Sequence, residues 1–181
     1  MPNVNFATLQ QEIASAARQA FTEIRNDHPS ERFYAFALYT DDSAMTVEPA
    51  ANSEEALEST AEDYDESPDT GWLRWGTAEW AYESEGGDHF NDVYDALNVE
   101  NRYDKKDPKA FGAFKQNLFE TMILALKSLD DEGFFGTGKD REAVTLFCSV
   151  SDSDDAEDLE DQSAKRLNSK AVYRRFKASR E

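Results

Sequence analysis

The sequence predicts one α+β domain over residues 1–181, a small, mostly antiparallel sheet flanked by helices. Three observations predict it. Apolar residues recur at three- and four-residue intervals over 5–26 and 108–131, as in helices that bury one stripe. Two short apolar runs, 32–39 and 143–150, read as buried strands. The chain of 181 residues, 39% hydrophobic and 12% aromatic, suffices for one core, and neither a repeat nor a low-complexity linker divides it.

In the first helix Phe6, Leu9, Ile13, Ala16, Ala17, Ala20 and Ile24 form the stripe, and Asn26-Asp27-His28-Pro29-Ser30 stops it. Arg32 to Tyr39 is apolar on both alternating sets, as in a central strand. Asp41-Asp42-Ser43 then predicts a turn and 44–47 a short returning strand, together a hairpin. After Pro49, Asn52 and Glu55 have capping-box spacing for a helix that runs to Tyr64, with Glu54, Glu55 and Glu58 near the positive end of its dipole. Following the turn-rich 63–69, the segment 71–75 reads as a short strand. Residues 77–83 read as a one- or two-turn helix capped by Thr77 or as an edge strand, with the helix preferred.

Phe90, Val93, Tyr94 and Leu97 have helical spacing, and Phe111, Phe114, Leu118, Met122, Ala125, Leu126 and Leu129 mark the most apolar helix, which tolerates Pro108 in its first turn. In 143–150, Val144, Leu146, Cys148 and Val150 share one face and Phe147 takes the other. Asp154 and Glu157 offer a capping box for a helix reaching Leu167, and 172–177 a last short helix.

Most chemical motifs fail in their context. Gly133 to Lys139 has the spacing of a phosphate-cradling loop, but Asp140 replaces the magnesium-binding hydroxyl and the loop runs from helix to strand, the reverse of the order required. Asp152, Asp154 and Asp155 lack the glycine and spacing of a calcium loop. His28 and His89 are the only histidines, too few for a nitrogen-rich metal centre, although Glu79 with Glu83, and Asp88 with Asp92 around His89, are spaced for a weak surface site. Cys148, the single cysteine, sits in an apolar strand and reads as a core residue, and one cysteine makes no internal disulfide. The expectation is therefore no catalytic residue, no metal and no cofactor. With no basic segment leading into an apolar run near the N-terminus and no stretch of membrane-spanning length, the expected place is the cytoplasm, without membrane insertion.

Charge is the stronger signal. The formal charge is −19, which repels a nucleic-acid backbone and argues against direct nucleic-acid binding. Between Asp41 and Asp95 there are 17 acids against Arg74 alone, whereas Lys165, Arg166, Lys170, Arg174, Arg175, Lys177 and Arg180 make the tail basic. Evenly spread acids would suit a merely solvated surface; clustered ones suit electrostatic steering of a basic partner. Aromatic residues lie among these acids, as in interface anchors. The candidate partner-binding residues are Glu62, Asp63, Tyr64, Asp65, Glu66, Asp69, Trp72, Trp80, Glu83, Glu85, Asp88 and Asp92. The competing expectation is a small-molecule pocket or enzyme site lined by Trp72, Trp75, Trp80, Glu79 and Glu83.

The segments Phe33-Tyr34-Ala35-Phe36-Ala37-Leu38-Tyr39-Thr40-Asp41-Asp42, Asn52-Ser53-Glu54-Glu55-Ala56-Leu57 and Leu73-Arg74-Trp75-Gly76-Thr77-Ala78-Glu79-Trp80-Ala81-Tyr82-Glu83 resemble an uncharacterised bacterial family, domain of unknown function 4303. The resemblance continues through the long helix, the strand before Ser151-Asp152-Ser153-Asp154 and Leu167-Asn168. It carries over no catalytic residues. It implies a link to immunity proteins encoded beside secreted toxins, which some relatives look like. The expected function is thus an acidic protein-binding module, an immunity protein that neutralises a basic cognate toxin by occluding its active site.

Overall fold

Strand β1 (Phe33–Asp41) lies inside a four-stranded sheet of order β3-β2-β1-β4 in the computed structural model, which describes residues 4–98 and 107–180. It pairs antiparallel with β2 (Glu48–Ser53) and parallel with β4 (Thr145–Ser151), and β2 pairs antiparallel with the two-residue β3 (Tyr82–Glu83). The sheet is therefore mixed, with two antiparallel pairings and one parallel.

Each face of β1 enters a different core. Phe36 and Leu38 pack with Leu146, Cys148 and Val150 of β4 beneath α1 (Phe6–Asp27) and α5 (Pro108–Asp131). Ala35, Ala37 and Phe147 face the other core with Leu57 and Ala61 of α2 (Glu54–Tyr64), Leu73 and Trp75 of α3 (Gly71–Trp75) and Phe176 of α8 (Lys170–Ala178). The alternation read in β4 and the stripe read in the first helix are both as expected. Asn5 opens α1 by accepting the Ala7 and Thr8 amides at 3.1 and 3.2 Å, and Asp107 opens α5 by accepting that of Ala110 at 3.0 Å. α4 (Asn91–Asn98) buries Val93 and Leu97 but leaves Tyr94 outside.

Five local expectations are corrected. The returning strand is 48–53, not 44–47, because the Asp41 carboxylate accepts the amides of Ser43, Met45 and Thr46 at 2.8 to 3.0 Å and holds that stretch as a turn. Asn52 is consequently a buried strand residue. The helix cap is Ser53, whose hydroxyl accepts the Ala56 amide at 3.0 Å, while Glu55 turns back to accept the Arg32 amide and Nε, each at 2.8 Å. Residues 71–75 form a helical turn and not a strand: the Arg74 amide donates to the Thr70 carbonyl at 2.9 Å and the Gly76 amide to that of Trp72 at 2.8 Å, and Gly71 passes so near the chain after α8 that a Cβ there would lie 2.9 Å from the Ser179 carbonyl. Residues 77–79 make only a 3-10 turn without a side-chain cap, and the chain then enters β3. Before α7 (Ala156–Leu167) neither Asp154 nor Glu157 forms a capping box; Asp155 precedes the helix, and its carboxylate accepts from Lys115 Nζ at 3.3 Å. The glycine-rich turn after α5 also contains a short helix, α6 (Gly138–Glu142), not read from the sequence.

Among the described residues the outer edge of β4 meets no further strand. α7 supplies the missing partners from its side chains: Ser163 Oγ accepts the Cys148 amide at 2.8 Å and donates to its carbonyl at 3.2 Å. Asn168 Oδ1 accepts the Leu146 amide at 3.0 Å, and its Nδ2 donates to the Leu146 carbonyl at 2.7 Å. A helix thereby closes an edge that would otherwise invite another strand.

Ser163→Ala should lower unfolding stability by about 1–3 kcal/mol, because it strands the buried Cys148 amide without introducing bulk. Asn168→Ala should be at least as damaging. Urea denaturation measures both, and a change below about 0.5 kcal/mol for each would show that the edge is not sealed in this way. A second prediction concerns acid. The Arg32 amide, and after it the Arg32 guanidinium, hold the Glu55 carboxyl down from its ordinary 4.5 to about 2. A depressed carboxyl stabilises the fold above its unfolded value and loses that contribution as pH falls from about 4.5 toward 2. Glu55→Gln should flatten the stability profile in that window, by only about 0.5 kcal/mol because solvent screens the pair.

Candidate functional site

The last turn of α2 and the loop into α3 bring together Glu62, Asp63, Tyr64, Asp65, Glu66, Asp69 and Trp72, all exposed. α2 ends with Asp65 in the left-handed region at φ 55°, so that the Asp65 and Glu66 amides reach back to the Glu62 and Ala61 carbonyls and the chain reverses. The reversal sets Tyr64 against Trp72. Their rings meet edge to face, with centroids 5.5 Å apart and planes at 87°, yet remain 52% and 49% exposed. Tyr64 OH donates to Glu79 Oε2 at 2.8 Å, and this carboxylate pushes the phenol pKa up.

This exposure is not fraying. Beyond Trp72, α3 is tied down: Leu73 and Trp75 are core residues, and Trp75 Nε1 donates to Ser179 Oγ at 2.8 Å. The Arg74 carbonyl accepts from Tyr34 OH at 2.7 Å and from Trp80 Nε1 at 3.0 Å. The Arg74 side chain turns inward, paired through both terminal nitrogens with the Glu54 carboxylate and stacked 4.3 Å from the Tyr34 ring centroid. The one Lys or Arg of the acidic stretch therefore neutralises an inner acid, Glu54, and none of the acids around Tyr64 and Trp72.

Other sequence-predicted residues lie elsewhere. Trp80 is only 3% exposed, packed against Tyr34 and Phe147, so it is a core residue and not a partner anchor. Trp75 is likewise inside, so the expected pocket shared by the tryptophans with Glu79 and Glu83 is not assembled. Glu79 holds Tyr64, and Glu83 accepts from Tyr39 OH at the edge of the sheet. Glu85, Asp88 and Asp92 belong to the turn and helix packed on α1, over the opposite face of the sheet from α2 and α3. Residues 62–92 thus contribute to two separated surfaces.

The second surface contains a polar concavity of about 450 Å³ lined by Glu23, Glu48, Ser84, Asp88, His89 and Asn91. Four of its groups pair: His89 Nε2 lies 2.7 Å from Glu23, and Ser84 Oγ donates to Glu48 at 3.0 Å. Burial raises the Glu48 carboxyl pKa. Both histidines lie by glutamates, His28 by Glu31 three residues on and by Glu85, and His89 by Glu23; the last two pairs span α1 and the turn after β3 and carried no sequence signal. Among the described residues no group of three or more His, Cys, Asp or Glu is placed to hold a metal. Cys148 is fully buried and its thiol pKa is pushed up by burial.

The basic tail is largely spent inside the molecule. Arg166 pairs with Glu120 at 2.6 and 2.7 Å, Arg180 with Glu160, Lys177 with Asp161 at 3.4 Å, and Arg175 donates to the Glu142 carbonyl at 2.9 Å. No described helix is long and apolar enough to cross a membrane.

No curated protein and no solved structure matches the chain. The model of a family described as domain of unknown function DUF4303 matches residues 13–169, a span that includes α2, α3, the whole sheet and the Asn168 seal, and the chain belongs to that family.

Proposed function

We propose that this protein is an acidic binding module that seats a basic protein partner on the Tyr64–Trp72 face, and that it acts as an immunity protein, covering the active site of a cognate toxin. One observation carries the reading: two large aromatic side chains stand half exposed on a rigidly held turn, ringed by Glu62, Asp63, Asp65, Glu66 and Asp69 with no described cation among them. Tyr and Trp supply contact area at low entropic cost, and surrounding charge of one sign accelerates encounter with its opposite. Such an inhibitor needs no chemistry of its own. The toxin role extends the likeness of some relatives to immunity proteins. A second reading, a small-molecule site, draws on the polar concavity at Glu48 and His89 and no longer on the tryptophans.

The test uses the full chain as bait in a lysate of its own source, at low and high salt, beside a Tyr64→Ala/Trp72→Ala bait. The expected result is one basic protein retained at low salt by the wild type, released by salt and lost from the variant. Adding the bait should block that protein's toxicity. In stopped-flow mixing, changing Asp63, Asp65, Glu66 and Asp69 to Lys should slow association by about tenfold or more at low salt. Equal retention by both baits would remove this face from the interface.

A further inference from the structure

The helical turn α3 carries two Tyr–Trp corners of the same construction, and only one of them is filled. In the inner corner Tyr34 and Trp75 meet edge to face, with centroids 5.7 Å apart and planes at 81°. Arg74 occupies it: its guanidinium carbon lies 4.3 Å from the Tyr34 centroid and 5.7 Å from that of Trp75, and Glu54 binds both terminal nitrogens. Ring, guanidinium and carboxylate form one stacked, charge-assisted unit.

The outer corner repeats the aromatic geometry. Tyr64 and Trp72 stand 5.5 Å apart at 87°, and a glutamate is again at hand, Glu79, which holds Tyr64 OH through Oε2 and whose Oε1 has no donor among the described residues. What the outer corner lacks is the cation. No described Lys or Arg lies over either ring, although elsewhere the protein repeatedly sets arginines on aromatic faces, Arg25 on Phe36 at 4.6 Å and Arg180 on Phe176 at 4.9 Å. The surrounding acids raise the local concentration of cations but provide none.

We propose that the Tyr64–Trp72 corner is a receptor for an arginine side chain of the protein partner, which stacks on the exposed aromatic faces and donates to the free oxygen of Glu79, as Arg74 does to Glu54 in the inner corner. This rests on the reading of this face as a protein-docking surface and adds the chemistry of the group that enters it. Arginine fits and lysine does not, because a planar guanidinium can stack on a ring and address a carboxylate with a second edge, whereas an ammonium is a compact, strongly hydrated point charge. Because Glu79 holds the phenol and the indole packs edge to face on it, the guanidinium meets a corner that is already assembled.

The experiment titrates the full chain by calorimetry with two probes of equal length and charge, an octa-arginine and an octa-lysine peptide, at matched ionic strength. The arginine peptide should bind at least tenfold more tightly. Trp72→Ala and Glu79→Gln, the second of which preserves shape, should each bring the arginine peptide down to the affinity of the lysine peptide. Asp88→Asn, on the opposite surface, should leave the preference intact. Because Trp72 is the one exposed tryptophan of the three, the arginine peptide should also change its emission in the wild type. Equal affinity of the two peptides, or an arginine preference that survives both Trp72→Ala and Glu79→Gln, overturns the proposal. The two readings fail separately. A partner captured through Tyr64 and Trp72 with no arginine preference sinks only the receptor, whereas baits that capture equally sink the docking face itself.

Discussion

A strand with no polar side, β1, imposes the architecture. From Tyr34 to Leu38 every residue is buried, so neither face of the sheet can be left to water and helices must cover both. α1 and α5 cover one face, and α2, α3 and α8 the other. The sheet's edges follow from its small size. On one side β3 offers only two residues for pairing, too short to template another chain. On the other, the β4 edge is closed by Ser163 and Asn168, which stand in for the amides and carbonyls of an absent strand. The parallel pairing of β1 with β4 is possible because more than a hundred residues, including α5, separate them in the chain.

The same constraint creates the exposed aromatic corner. Covering the second face takes a layer that α2 alone is too narrow to supply, and α3 completes it. A helix of five residues has no stability of its own, so its shape is set by what it buries. Leu73 and Trp75 go in, the Arg74 carbonyl is bonded by Tyr34 and Trp80, and the residue between Gly71 and Leu73 has no direction left but outward. Trp72 is thus displayed by the packing of its neighbours. α8 and the residue that ends it, which lie beyond the family match, contribute to this through Phe176 and Ser179.

How much of this could be read from the residues depended on scale. Long periodic stretches were legible: α1, α5, β1 and the two-faced β4 carry patterns that many residues repeat. Short elements were not, because a single tertiary contact decides them. Asp41, through one carboxylate, moves the returning strand by four residues, and that shift carries Asn52 from a cap into a strand and passes the cap to Ser53. The segment Gly71-Trp72-Leu73-Arg74-Trp75 alternates as a strand would, yet its amides bond back four residues, Arg74 to Thr70 and Gly76 to Trp72, in a helical turn set against the end of the chain at Ser179. At the candidate site the acids and aromatics were visible in composition, but which tryptophan faces water was not, since that follows from the conformation of α3. Nor did the chain order show that Glu85, Asp88 and Asp92 belong to the other face of the molecule.

Charge pairing sharpens what composition left diffuse. Among acids of the stretch 41–95, Glu54 and Glu55 are engaged by arginines, Glu48 and Glu83 by hydroxyls, and Glu85 lies by His28. The basic tail commits four of its cations to Glu120, Asp161, Glu160 and the Glu142 carbonyl. Where α2 ends, Glu62, Asp63, Asp65 and Asp69 have no cationic partner among the described residues, and they lie about the aromatic corner that packing pushes outward. Uncompensated charge at a rigid apolar anchor costs self-repulsion in the free protein and returns it only when an opposite charge arrives. A surface of that kind is poorly explained as solubility alone, for which the acids need not gather around a tyrosine and a tryptophan.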